Sequence, residues 1–426
     1  MHTYLGIDFG TSGCRSVIID AAARQLAAVH TALPAPLRCG AQVEQDAGLW
    51  WAALVDNLDA LKTRADLARV AALCIDATSS TLLLCDASGA PLHHALMYND
   101  ARATAAAARI NALAPAGSAA GGASASLAKL LWLLETPAAS QAAYAMHQAD
   151  WLLARLSGHF GCSDENNALK LGYDPVQRRW PDWLQHLPVP QALLPTVLPP
   201  GKTIGGLTPE ACQRWGFSTD ARVVSGTTDS TASVIATGAG PGEAVTALGS
   251  TLVLKVCAKR PVVAPEQGVY SHRLGEHWLV GGASNTGGAV LQQFFTDADI
   301  ARYTALLQPE RPTGLDYYPL VAPGERFPVN DPQLAPRLTP RPADEAQFFQ
   351  AILEGITAIE ARGYRLLAEL GAPSPARVIT TGGGAVNAGW QAMREHALGV
   401  PVLAAEHQEA AYGAALLALR SKFVSR

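Results

Sequence analysis

Two short hairpins of one design, far apart in the chain, constrain its fold more than any other feature. In the first, apolar runs at 5–7 and 17–19 flank Gly10-Thr11-Ser12-Gly13, and Asp8 stands at the end of the leading strand. Apolar runs on either side of turn residues are a hairpin pattern. Such a turn offers backbone N–H groups and hydroxyls to phosphate oxygens, and glycine admits close backbone approach. Asp8 beside it supplies the kind of oxygen that a magnesium ion takes alongside phosphate. The second hairpin, at 245–257, repeats the plan with the turn Gly249-Ser250-Thr251 and a following apolar strand that carries Lys255. Arg15 holds a comparable place after the first turn. One such turn is ambiguous. Two of them predict a pair of similar domains facing each other across a nucleotide.

A chain of 426 residues is too long for one ordinary core and suits two domains. With 49% hydrophobic and only 16% charged residues, it is globular rather than disordered in composition. A net charge of −4 without a basic tract argues against nucleic-acid or anionic-membrane partners. The first strand is entered by Tyr4, so no signal peptide is expected, and no apolar run reaches the roughly 18 residues that a membrane span needs. Seven scattered cysteines (14, 39, 74, 85, 162, 212 and 257), none in a C-x-x-C pair, read as reduced thiols of a cytoplasmic protein without a zinc site.

Along the chain, three strands are expected in the first forty residues, then an amphipathic helix over 49–62 carrying Trp50 and Trp51, and strands over 70–76 and 82–86. This alternation indicates an α/β fold. The alanine-rich stretch 101–128, with Gly121-Gly122 inside it, reads as helices with a flexible joint or, in its middle, as exposed filler. The proline-dense stretch 188–200 breaks regular structure. The two domains are expected at 1–221 and 222–426, the second opening on a buried strand over 223–225. Residues 309–342, rich in Pro and Gly, suggest a surface excursion, followed by a long helix over 344–370, a strand over 377–381, a glycine turn and a closing helix over 410–419.

Asp229, in Gly226-Thr-Thr-Asp229-Ser230, follows a short strand and sits in the first turn of a helix, where the dipole favours a carboxylate. It is either an ordinary N-terminal cap or a general base that takes the proton of a sugar hydroxyl during phosphoryl transfer. The run Thr380-Thr-Gly-Gly-Gly-Ala-Val-Asn387 also follows a strand. Its glycines let backbone lie flat on a planar ligand, with Asn387 available to a base or ribose.

In order, 7–11 (Ile-Asp-Phe-Gly-Thr), 226–229 (Gly-Thr-Thr-Asp), 248–251 (Leu-Gly-Ser-Thr), 281–289 (Gly-Gly-Ala-Ser-Asn-Thr-Gly-Gly-Ala), 354–356 (Glu-Gly-Ile) and 382–387 span nearly the whole chain. Together they resemble the FGGY carbohydrate kinases, whose fold is two ribonuclease-H-like (actin-like ATPase) domains. The peptides at 75–86, 98–99, 149–152, 167–173, 270–272 and 314–320 resemble in particular the short, xylulokinase-like D-ribulokinases of cyanobacteria and plant plastids. The resemblance implies an ATP- and Mg2+-dependent kinase that phosphorylates the C5 hydroxyl of D-ribulose. It further implies Asp229 as base and sugar ligand, Asp8 beside metal and sugar, and Ser79 on the sugar. Thr11 and Ser12 would meet phosphates, and Gly249, Ser250 and Thr251 the transferred phosphoryl group. Gly288, Ala289, Gly383, Gly384 and Asn387 would line the adenosine. Asp100 and Arg102 resemble an Asp-x-Arg pair found near the sugar in larger relatives, and read equally well as a solvated helix start.

Other conspicuous residues are expected to be structural: His93-His94 at the surface, Trp180 and Trp183 at a domain edge, and His272 as a satisfied histidine, with no chemistry for Glu406 and His407. D-xylulose is the main rival substrate, ahead of L-ribulose, pentitols and glycerol. A nucleotide-dependent binding protein and a catalytically silent sugar sensor of the same fold are the alternatives of other classes. A monomer or homodimer is expected.

Overall fold

In the computed structural model, which describes residues 2–421, the two hairpins become the centres of two separate six-stranded sheets. The first sheet is built from β1 (Thr3–Phe9), β2 (Gly13–Asp20), β3 (Gln25–Ala32), β4 (Val70–Ala77), β5 (Thr203–Gly206) and β6 (Arg222–Thr228), in the order β5-β6-β4-β1-β2-β3. β1, β2 and β3 form an antiparallel meander, and β4 and β6 then add parallel to β1. The second sheet is built from β7 (Ala244–Leu248), β8 (Leu252–Ala258), β9 (Tyr270–Leu274), β10 (His277–Ser284), β11 (Val378–Thr381) and β12 (Val402–Ala404), in the order β9-β10-β8-β7-β11-β12. Its hairpin β7–β8 is again antiparallel, with β11 and β12 parallel beyond β7. The shared plan is a hairpin strand that carries a turn at one end and parallel strands on its other side.

The chain divides into two compact units: the described residues up to Ala236 together with those from Glu409, and residues 237–408. This moves the boundary expected at residue 222. β6 is hydrogen-bonded to β4, Arg222 opposite Ala72 and Thr227 opposite Asp76, so it and the helix Asp229–Ala236 belong to the first unit. Asp229 therefore lies in the same unit as Asp8. The closing helix, Ala410–Arg420, also returns to the first unit. Two glycines permit this. A Cβ on Gly6 of β1 would lie 2.0 Å from the Ala411 carbonyl oxygen, and one on Gly413 would lie 1.9 Å from that of Ala232.

All seven residues of β1 are buried, because helices cover both faces of the sheet. The helix Ala47–Lys62 starts where the Asp46 carboxylate accepts from the Gly48 amide, and it turns Trp50, Leu54, Leu58 and Leu61 into the core. The alanine-rich stretch forms the helices Thr104–Asn111 and Ser126–Leu134. Between them the Asn111 amide donates to the Gly121 carbonyl at 3.0 Å.

In the second unit the helix Glu345–Glu369 packs Phe348, Phe349, Ile352 and Ile356 into the core. Residues 309–342 are irregular and largely on the surface, as expected, but a few buried side chains anchor them. Phe327, Tyr317 and Leu320 are buried, and the Phe327 ring fills the space that the absent side chains of Gly282 and Gly363 leave. Buried Glu325 in the same segment accepts from the Ser284 and Tyr318 hydroxyls and the Asn285 amide.

Candidate active site

Three parallel strands of the first unit end on carboxylates. Asp8 on β1 and Asp76 on β4 are direct partners in the parallel ladder. Thr227 on β6 stands opposite Asp76, and Asp229 follows it to open the helix Asp229–Ala236. Asp8 is 5% exposed and Asp76 is 0% exposed, while Asp229 is half-buried. One oxygen of Asp8 and both oxygens of Asp76 are buried without a hydrogen-bond partner when the two side chains are ionised. Removing carboxylates from water beside one another favours their neutral forms. Burial, then the charge of Asp229, pushes Asp8 up to about 6, and the nearby Arg15 opposes this. Burial, then Asp8 and Asp229, holds Asp76 well above the carboxylate range. Of the two, Asp76 is the member whose surroundings more strongly favour the protonated form, from which it can donate to Asp8. Burial also raises Asp229, against the hydrogen bond that its carboxylate accepts from the Ser230 amide at 2.7 Å. Arg15 lies 3.8 Å from Asp8 and 3.7 Å from Glu409, but it is half exposed, so its pull is screened.

Asp76 did not stand out in sequence, although a signal was present. It is an acidic residue that ends the apolar run 70–75, and an Asp at the end of such a strand needs a partner or a purpose.

The turn after β4 carries Ser79, half-buried with its hydroxyl unpartnered. Ser80 next to it takes φ +68°, and its carbonyl accepts from Lys129 Nζ at 2.8 Å. Lys129 also donates to the Met97 carbonyl at 2.6 Å, tying the Ser79 turn to the segment before Asn99. Burial of this ammonium lowers its pKa to about 7. Asp100 and Arg102 form a buried structural pair rather than a solvated helix start. Arg102 donates to both carboxylate oxygens of Asp100, pairs with Glu44 at 2.7 Å and lies over the Trp132 ring, while Asp100 accepts from the Val43 amide. His93, expected at the surface, is half-buried, accepting from the Leu84 amide and donating to the His94 carbonyl, while His94 is exposed. In the β1–β2 turn Thr11 is half-buried and Ser12 exposed, with the loop closed by Gly10 N–H to the Gly13 carbonyl at 3.0 Å.

The second unit holds a cavity of about 530 Å³ lined by Gly249, Ser250, Gly288, Gly383, Gly384 and Asn387, the residues read from sequence, together with Leu291, Asp297, Ile300, Ala301, Thr304 and Trp390. Thr251 and Ala289 are outside this lining. The cavity floor depends on close backbone approach. Gly288 N–H donates to the Gly249 carbonyl at 2.8 Å, and a Cβ on Gly382 (φ +85°) would lie 2.5 Å from the Leu248 carbonyl oxygen. Two details differ from the sequence reading. The Gly249 N–H is used internally by the Thr251 carbonyl, and the Asn387 side chain caps the helix Ala388–Leu398 through Trp390 N–H while donating to Thr304. Asn387 thus builds the wall before it can read a ligand. The helix lining the other side was not legible, because Ile300, Ala301 and Thr304 form only one apolar stripe. An apolar slot with one carboxylate, Asp297, in its lining suits a flat ring joined to a group that carries hydroxyls.

Comparison with known proteins agrees with this architecture. The model for the FGGY family of carbohydrate kinases, N-terminal domain, matches residues 3–236, and that for the C-terminal domain matches residues 244–421. A xylulose kinase of Escherichia coli K12 is 26% identical over 411 residues, 92% of this chain and 84% of the relative. Among solved structures, a xyloylose kinase from Brucella ovis has a TM-score of 0.90 at 24% identity, covering 100% of this chain and 91% of that one. A xylulose kinase from Rhodospirillum rubrum has a TM-score of 0.88 at 22% identity over 99% and 90% of the two chains. With both domains matched and the split sheet plan in place, the chain belongs to the FGGY family of carbohydrate kinases, phosphotransferases that act on a sugar hydroxyl.

Proposed function

We propose that the protein transfers the terminal phosphoryl group of ATP to the primary C5 hydroxyl of a ketopentose, with D-ribulose as the preferred substrate. The observation that carries the chemistry is Asp229, a carboxylate of raised pKa at a helix N-terminus beside buried Asp8. In this reading Asp229 holds the attacking hydroxyl and takes its proton as the new P–O bond forms and the bond to the departing ADP breaks. A base of modest strength suffices, because the hydroxyl loses its proton late in a loose transition state. Asp8 orients the sugar, and its carboxylate offers the kind of oxygen that a hard cation takes. Among the described residues no three His, Cys, Asp or Glu side chains are arranged to hold a metal by themselves. Asp8 would therefore hold Mg2+ together with phosphate oxygens, and the ion would neutralise charge on the phosphates. Thr11 and Ser12 of the first hairpin, and Ser250 and Thr251 of the second, serve the phosphates, while Gly288, Ala289, Gly383 and Gly384 serve the adenosine.

D-ribulose is supported by the peptides around Ser79, Asp150 and Asn167. D-xylulose is the second reading, favoured by relatives that are named xylulose kinases. Release of ADP from Mg-ATP against D-ribulose, D-xylulose, L-ribulose, ribitol and glycerol separates the two. A selective response to D-ribulose that Asp229→Ala abolishes supports the proposal; a larger response to D-xylulose replaces the substrate and keeps the chemistry. No response to any sugar from protein that still binds ATP would remove the kinase reading in favour of a sensor.

A further inference from the structure

Gln148 is the first residue of the helix Gln148–Ser157, and it is held there on every side but one. It is 0% exposed, its amide N–H donates to the Thr81 carbonyl, and its side-chain Oε1 accepts from the Thr78 hydroxyl at 2.8 Å. Thr78 in turn shares a 2.6 Å hydrogen bond with Thr81, so the amide plane is fixed against the turn that carries Ser79. His147, just before it, is clamped by Asp150 at 2.9 Å and by Ser126 at 2.9 Å. The remaining group, Gln148 Nε2, is buried and donates to nothing. The Ser79 hydroxyl in the same turn is likewise buried and unpartnered.

A fully buried amide donor without an acceptor is costly, and in a native fold it marks a place that something else completes, a water, an ion or a ligand. The location identifies the ligand. Thr78 lies two residues past Asp76, whose neighbours in the sheet are Asp8 and Thr227, with Asp229 just beyond. The turn that fixes the unpartnered donor therefore follows directly on the strand end that carries Asp76. Donor and hydroxyl together match adjacent hydroxyls of a neutral polyol.

We propose that Gln148 is a specificity-determining residue, its Nε2 donating to a secondary hydroxyl or the carbonyl of the sugar next to the position that Ser79 reads. This rests on the ketopentose kinase reading above. It would make the enzyme select among sugars by configuration, because a site built to hydrogen-bond one hydroxyl leaves its own group unpaired when that hydroxyl points elsewhere. Thr78 is the positioning residue, since it sets which end of the amide faces the sugar.

The test compares Gln148→Glu and Gln148→Met. Gln148→Glu keeps an acceptor for Thr78 and replaces the amide donor by a carboxyl that donates only when protonated; Gln148→Met keeps the volume and loses both donor and acceptor. For each, kcat and KM are measured for D-ribulose, D-xylulose and ATP, with a thermal melt as the folding control. The expected result is a rise of tenfold or more in KM for the preferred ketopentose, a shrinking of the preference between the two ketopentoses, and an ATP KM within about twofold of wild type. Wild-type sugar kinetics in a folded Gln148→Met protein would overturn the inference. So would equal losses for both sugars and ATP together with a lowered melting temperature, which mark a structural residue. Wild-type protein that turns over no sugar would instead remove the kinase reading and this inference with it, a failure seen before any variant is made.

Discussion

Asp8 and Asp76 face each other in the parallel ladder between β1 and β4, both buried, with three of their four oxygens unpartnered when both are charged. A proton on Asp76 resolves this arrangement, since it lets Asp76 donate to Asp8 and leaves Asp8 as the charged member. Asn at position 76 can make the same donation. Asp76→Asn is therefore expected to keep kcat/KM for the sugar within about threefold of wild type. Asp76→Ala loses a hydrogen bond to a charged group, about 1.5–3 kcal/mol, and should lower kcat/KM by about ten- to hundredfold. Steady-state kinetics on both variants decide it, and equal losses in the two would show that the charge of Asp76, not its proton, matters.

The pH dependence has two limbs of opposite sign. Activity needs Asp8 ionised, so kcat/KM should fall as pH drops through about 6. Stability should move the other way. A carboxyl whose folded pKa is raised holds its proton more tightly when folded, so its contribution is fullest below the ordinary value of 3.8 and is lost as pH rises to about 6. Activity profiles and thermal melts across pH 4 to 8 test both limbs. A loss of activity at acid pH that tracks unfolding would contradict this assignment.

Gly413 lets the helix Ala410–Arg420 touch the helix that begins with Asp229, because a Cβ there would lie 1.9 Å from the Ala232 carbonyl oxygen. Backbone on both sides cannot yield locally, so Gly413→Ala must push the Asp229 helix away. Overpacking of this kind costs about 1–3 kcal/mol or more. The expected outcome is a lower melting temperature and a reduced kcat, with ATP binding retained in the second unit. Gly6→Ala, against the Ala411 carbonyl oxygen at 2.0 Å, should behave similarly.

What could be read in sequence was what local geometry fixes. Both hairpins, the turn at 382–384, the long helix and the helix opening at Asp229 follow from apolar periodicity and turn residues a few positions apart. What could not be read depends on tertiary pairing. Nothing between residues 222 and 236 announces that β6 pairs with β4, so sequence alone puts Asp229 in the second domain while the structure puts it in the first unit. The buried role of Phe327 was hidden because Pro and Gly around it break local pattern, while its partners Gly282 and Gly363 are distant in sequence. Asp76 was overlooked because its meaning comes from Asp8 across the ladder.

The cavity in the second unit gives a prediction confined to the nucleotide. Ala301 lines it from the helix Asp297–Thr304, opposite Gly383 and Gly384, and is itself exposed. Ala301→Trp should fill the slot and raise the ATP KM by tenfold or more, about 1.4 kcal/mol, while sugar binding measured without nucleotide stays unchanged. An unchanged ATP KM would place the adenosine elsewhere.

Lys129 offers a test of how the Ser79 turn is held. Its ammonium is fully buried against the Ser80 and Met97 carbonyls, and burial lowers its pKa to about 7. The unfolded chain binds this proton up to its ordinary value of 10.5, so between about 7 and 10.5 the unfolded state carries more protons than the folded one. Stability from this group is fullest above 10.5 and is lost as pH falls toward about 7. Lys129→Met leaves both carbonyls without their donor, each costing about 1–3 kcal/mol, and it removes the titrating group. The variant should therefore melt lower than wild type. It should also lack the rise in melting temperature that wild type shows from pH 7 to 9. Because the turn holding Ser79 loses its tether, the sugar KM should rise while the ATP KM does not. A parallel pH dependence in the two proteins would show that the proton resides elsewhere, and an unchanged sugar KM would show that the turn is held by Thr78 and Thr81 alone.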